Sequence, residues 1–161
     1  MKKINFDVDF KFNYELLGIT SSSKDYKISW LLNKTLGFNF KKIEDFQITP
    51  LNKNKKETVE IFNQKSENNI SENNNITGFS QYYFAIEENH TFYFLISNRS
   101  EKGTLITELP SVDYFVLIKG PVKNEEIKDC IEKINALPEI NTVYKVDLNK
   151  LKQQSKQNLI F

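Results

Sequence analysis

Apolar and polar positions follow two periods along this chain, and each change of period marks an element. Residues 14–20, Tyr-Glu-Leu-Leu-Gly-Ile-Thr, form a short, mostly apolar run that predicts a largely buried strand. Ile28, Leu31, Leu32 and Thr35 then recur at helical spacing behind Ser21-Ser22-Ser23, which offers an N-cap. Asp25 falls in the first turn, where the helix dipole favours an anion, and Gly37 is a natural stop. Phe38 and Phe40, then Phe46 and Ile48, predict a second strand interrupted near residues 41–43 and ended by Pro50.

Polar positions dominate the next stretch. Residues 51–57 read as a lysine-rich loop, and 58–63 as a short strand carrying Val59, Ile61 and Phe62. Residues 64–78 hold two near copies of Ser-Glu-Asn-Asn, too polar to offset the entropy of ordering, so a mobile loop is expected there. Residues 79–86 and 91–96 are aromatic-rich strands around Glu87-Glu88-Asn89-His90, a hairpin signal. Tyr82, Phe84 and Ile86 share one face, and Phe92, Phe94 and Ile96 another. Tyr83 and Tyr93 occupy the opposite faces, so the hairpin should be covered on both sides.

Residues 97–103 read as a polar turn, and 112–118 as a strand closed by Gly120-Pro121. A second helix has the clearest stripe, Ile127, Cys130, Ile131, Ile134 and Leu137, capped by Asn124 and ended by Pro138. A strand at 142–146 follows, then a short helix with Asp147 as its cap and Leu148 and Leu151 on it. The last four residues, 158–161, read as an apolar tail whose Leu159, Ile160 and Phe161 must dock either on their own domain or on a partner, a candidate interaction tail. The expectation is an α+β domain spanning 1–161. It has one largely antiparallel sheet of about six to seven strands, two main helices on one face, and strand-helix-strand units at both ends. The final unit is similar to half of a ferredoxin-like or ACT-type domain.

Charge and composition narrow the function. The 161 residues carry a formal net charge of +1, without the basic surplus of a general nucleic-acid binder. One cysteine, Cys130, excludes an intramolecular disulfide and a thiolate metal cluster. No run of apolar residues is long enough to span a membrane. Asp7 and Asp9 interrupt the start where a signal peptide would be apolar, so a cytoplasmic protein is expected.

Candidate chemistry is sparse. His90, the only histidine, lies in the hairpin tip, where a solvated turn residue is the simpler reading than a catalytic base. Cys130 lies on the apolar stripe of the second helix, the place of a small buried hydrophobe. No ligand spacing for zinc or calcium and no glycine-rich phosphate loop occurs, so no metal and no cofactor is expected. Thr20-Ser21-Ser22-Ser23 could receive an anion, but capping accounts for it equally well. No Lys or Arg lies between Phe79 and Ile96, which argues against base stacking on the hairpin. The cations gather instead at Lys145, Lys150, Lys152 and Lys156.

One segment stands apart: Ile106-Thr107-Glu108-Leu109-Pro110-Ser111-Val112-Asp113-Tyr114. It resembles the IPExxxVDY family, a domain of unknown function found in Bacteroidetes. Ile106, Glu108, Val112, Asp113 and Tyr114 match, while Thr107 stands at the proline of the pattern. Ile19-Thr20-Ser21-Ser22, Tyr26, Leu32-Asn33-Lys34 and the ending Asn158-Leu159-Ile160-Phe161 agree with it too. The resemblance implies no activity. Glu108 and Asp113 could brace a strand lead-in through hydrogen bonds, with the Tyr114 ring in the core. Alternatively, Glu108, Asp113 and Tyr114 could line a ligand pocket. The function expected is a non-enzymatic module that binds another protein or self-associates as a homodimer, with no catalytic residue. A small-ligand regulatory domain of ACT type is the alternative, and an RNA-associated factor the weakest one.

Overall fold

The computed structural model describes residues 14–48 and 76–159. The strand expected at 58–63, most of the loop expected at 64–78, and Ile160 and Phe161 lie outside these residues. The loop's last two positions are strand: Thr77 and Gly78 belong to β4 (Thr77–Phe79), paired with β3 (Phe46–Ile48) through Phe46 opposite Phe79.

Among the described residues the main sheet has six strands: β1 (Tyr14–Thr20), β2 (Lys41–Lys42), β5 (Gln81–Ile86), β6 (Thr91–Ser97), β9 (Tyr114–Lys119) and β10 (Thr142–Lys145). Their order is β10-β1-β9-β6-β5-β2, and every neighbouring pair is antiparallel. A small hairpin, β7 (Arg99–Ser100) with β8 (Gly103–Thr104), leaves the end of β6. The structure is therefore α+β with one main antiparallel sheet. Strand β1 lies between β9 and β10, so the C-terminal strand-helix-strand unit is split by the first of the described strands.

Helices α1 (Asp25–Leu36) and α2 (Asn124–Asn135) cover one face. Ile28 and Leu32 of α1 and Ile127 and Ile134 of α2 meet Leu17, Ile19, Leu95, Val116 and Ile118 from the sheet. Two sequence expectations change here. Lys24, not a serine, is the N-cap of α1, and no side chain caps it. The Ser21 hydroxyl instead donates to the Glu139 carbonyl at 2.6 Å and accepts from the Ser23 amide. In α2, Asn124 is the first helical residue, and the Glu126 carboxylate reaches back to the Lys123 amide.

Phe38 and Phe40 are not in a strand. The two side-chain bonds that Asn33 makes to the Phe40 backbone fold the chain under α1. Phe38 then packs 4.7 Å from the Phe84 ring and 4.9 Å from Tyr93. An aromatic cluster takes the pair that alternation alone assigns to a sheet.

The other face is covered by irregular chain. Leu105, Ile106 and Val112 pack with Leu151 and Leu159 on Leu16, Ile96, Phe115 and Leu117. Asp147 caps only a 3-10 turn (Leu148–Lys150), accepting from the Asn149 amide, and α3 (Gln153–Asn158) begins later. Leu159, expected on a tail, is wholly buried in its own chain. Gly18 makes room for this layer: a methyl there would meet Val112 at 3.3 Å.

Candidate functional site

Asn98 lies at the centre of residues 97–114. It is fully buried and immediately follows β6. Its amide donates to the Asp113 carbonyl and its own carbonyl accepts from the Leu105 amide, both at 2.8 Å. The side-chain nitrogen donates to the carbonyls of Leu109 and Val112, and the side-chain oxygen accepts from the Ile106 amide. A buried amide with these partners replaces the ladder that a loop lacks.

Around this hub Glu108, Asp113 and Tyr114 are tied to distant parts of the chain. Ile106 and Val112 are buried apolar anchors. Glu108 accepts from the Lys152 amide at 2.6 Å and from the Ser155 hydroxyl at 2.8 Å, which fastens α3 to the segment leading into β9. Burial would raise its pKa, but these bonds and those from its own amide and Thr107 outweigh that and hold it below the usual carboxylate value. Thr107, at the proline position of the pattern, adds a hydroxyl bond to Glu108. Asp113 accepts from the Ser21 amide at 2.9 Å and pairs with Arg99 Nε at 2.6 Å. The Tyr114 hydroxyl donates to the Ser23 carbonyl at 2.6 Å.

These three side chains bond to different elements. Glu108 faces α3, whereas Asp113 and Tyr114 face the β1–α1 turn. Near the latter lies a second polar group, in which Asp25 accepts from the Ser80 and Tyr82 hydroxyls. Burial, then the Asp25 charge, pushes the Tyr82 and Tyr114 hydroxyls up to about 12. The hydrogen bonds and the nearby Lys42 charge keep the Asp25 carboxyl low despite its own burial.

A cavity of about 480 Å³ lies on the face covered by irregular chain, beside β4, β8 and α3. Phe79 and Leu105 line it with Thr107, Ser155, Lys102 and Lys152; Asp113 and Tyr114 do not. His90 is exposed at the hairpin tip with a left-handed backbone. Cys130 is half-buried, and burial raises its thiol pKa. Lys145 pairs with Glu15 at 3.0 Å. No group of three or more metal-ligating side chains occurs among the described residues. No described helix is long and apolar enough to cross a membrane.

Sequence reasoning missed Asn98, Arg99 and Ser155, and it missed the outer face of α1. Arg99 carried a usable signal. It is the only arginine in a chain that otherwise uses lysine, and its fork holds both Asp113 and the Pro110 carbonyl. On α1, Tyr26 is 68% exposed and Trp30 56% exposed, the two most exposed of the large apolar side chains among the described residues. Their spacing of four places them side by side. Comparison with protein-family models, with curated proteins and with solved structures returns no match.

Proposed function

We propose that this protein is a non-enzymatic interaction module that binds another protein through the outer face of α1. The observation that carries this reading is the exposed Tyr26–Trp30 pair, the residue types that anchor protein interfaces, on a well-formed helix. It is supported by the way Glu108, Asp113 and Tyr114 direct their polar atoms into their own chain. On this reading the chain is a cytoplasmic member of the IPExxxVDY family, with residues 106–114 as its brace.

The test is a photo-crosslinking residue at position 26 in living cells, with position 144 as control. Tyr144 is 38% exposed, and it alternates with Val143, which packs on the helix-covered face. A discrete adduct with another protein, formed at 26 and not at 144, is expected. Equal smears at both positions, or an adduct only with a second copy of the chain, would overturn the reading.

A second reading, a small-ligand regulatory domain, is favoured by the cavity beside α3. It predicts a thermal shift with a metabolite that Lys152→Glu abolishes; a broad panel without a shift would remove its support.

A further inference from the structure

The charge around Tyr26 and Trp30 points to the chemistry of the partner, an inference that rests on the interaction reading above. Helix α1 contains one acidic residue, Asp25, and that carboxylate is turned inward to the hydroxyls of Ser80 and Tyr82. Its outward charges are cationic. Lys27 lies beside Tyr26 and three residues before Trp30, and Lys34 lies four residues after Trp30, both on the side of the rings by the 3.6 period. Lys34 Nζ sits over the Trp30 ring at 5.0 Å from the centroid, a cation–π contact that holds the indole in place before any partner arrives. A fixed ring loses less freedom on binding, and that favours affinity.

We propose that α1 receives an acidic segment of another protein that also carries apolar side chains. The apolar groups would lie on the Tyr26 and Trp30 rings, and the carboxylates would meet Lys27 and Lys34. From position 26 to 34 the helix rises about 12 Å, so the contact suits about two to three turns of a partner helix. A contact this small makes a weak, reversible complex.

The experiment uses the full chain and fluorescein-labelled peptides read by anisotropy. The probe is a 16-residue amphipathic helix with leucines on one face and glutamates on the other. The controls replace its glutamates by lysine or its leucines by serine, and a uridine 16-mer tests RNA. The acidic leucine peptide should bind at least about tenfold tighter than either peptide control, and less tightly as salt rises. Trp30→Ala should weaken it about tenfold, by loss of a ring anchor. Lys27→Glu with Lys34→Glu should do the same and bring the lysine peptide up to comparable affinity. All of these positions are on the helix surface, and circular dichroism confirms that each variant is folded.

Equal binding of acidic and basic peptides, indifference to Trp30→Ala, or tighter binding of the RNA would overturn the proposal. The two readings fail separately. A specific crosslink at position 26 without charge discrimination ends the acidic-partner inference alone, whereas no specific crosslink ends the interaction reading and this inference with it.

Discussion

Asn98 is one amide on which three stretches of chain converge, so its removal tests whether they form a unit. Asn98→Ala leaves the buried amide of Ile106 and the carbonyls of Leu109 and Val112 without their side-chain partner. A loss of about 3 kcal/mol is expected from urea unfolding, the upper range for a broken buried network. A loss below about 0.5 kcal/mol, the range of ordinary surface changes, would mean that water replaces the amide without cost. Arg99→Lys is a subtler test. A lysine keeps the charge near Asp113 but cannot also hold the Pro110 carbonyl in a fork. Because the pair is half exposed, the expected loss is only about 0.5–1 kcal/mol. The segment stood out through its resemblance to a family pattern, which names Glu108 and Asp113 but not what they bond. Their partners were not legible: Ser21 and Ser155 lie 92 and 47 residues away, and serines in polar runs carry no mark of what they will bond. Asn98 was hidden for the same reason, inside a stretch that reads as an ordinary turn.

Elements with a strong period were legible to within a residue or two. Helix α2 declares itself through Ile127, Ile131 and Ile134, and α1 ends at Gly37 in the left-handed region, where glycine is favoured. Strand β1 runs over the residues expected of it. Failures came where tertiary packing replaced local preference. Phe38 and Phe40 alternate like a strand, yet the Asn33 side chain and the Phe84 and Tyr93 rings claim them. The apolar ending was legible as something that must be covered, by its own domain or by a partner, and for Leu159 the cover is its own core. Leu159→Ala should therefore destabilise the protein by about 2–4 kcal/mol, the cost of emptying a buried leucine site. A stability unchanged in thermal melts would show that α3 does not close the face opposite α1 and α2 in solution. Gly120 marks another joint. Its φ is 108°, and a methyl there would lie 2.3 Å from the His90 carbonyl. Gly120→Ala should cost about 2–4 kcal/mol through positive φ and overlap together, read by the same melts.

At the scale of the whole molecule, polar bonds tie the irregular layer and the helical layer to a common sheet, and their titration sets the pH range of the fold. Tyr82 and Tyr114 have hydroxyl pKa values of about 12 in the folded chain, against about 10 when unfolded. Folding therefore favours their protonated forms. The stability they contribute is fully present below about pH 10 and is lost as pH rises toward 12, because the unfolded chain then releases protons that the folded chain retains. On the acid side the sign reverses. Asp25 and Glu108 are held below their usual values by hydrogen bonds, so their contribution is present above the unfolded carboxylate range, about pH 4, and disappears as pH falls through the folded values. Thermal melts across pH should give a plateau between these limbs, with tyrosinate absorbance rising late on the alkaline limb. Tyr82→Phe is the decisive variant, since it removes the hydroxyl at the cost of only a 3.3 Å bond to Asp25. It should reduce the late tyrosinate phase and flatten the alkaline limb while leaving the Glu108 contribution on the acid limb in place. An alkaline limb of unchanged steepness in that variant would show that the hydroxyls beside Asp25 do not set the upper pH limit of the fold.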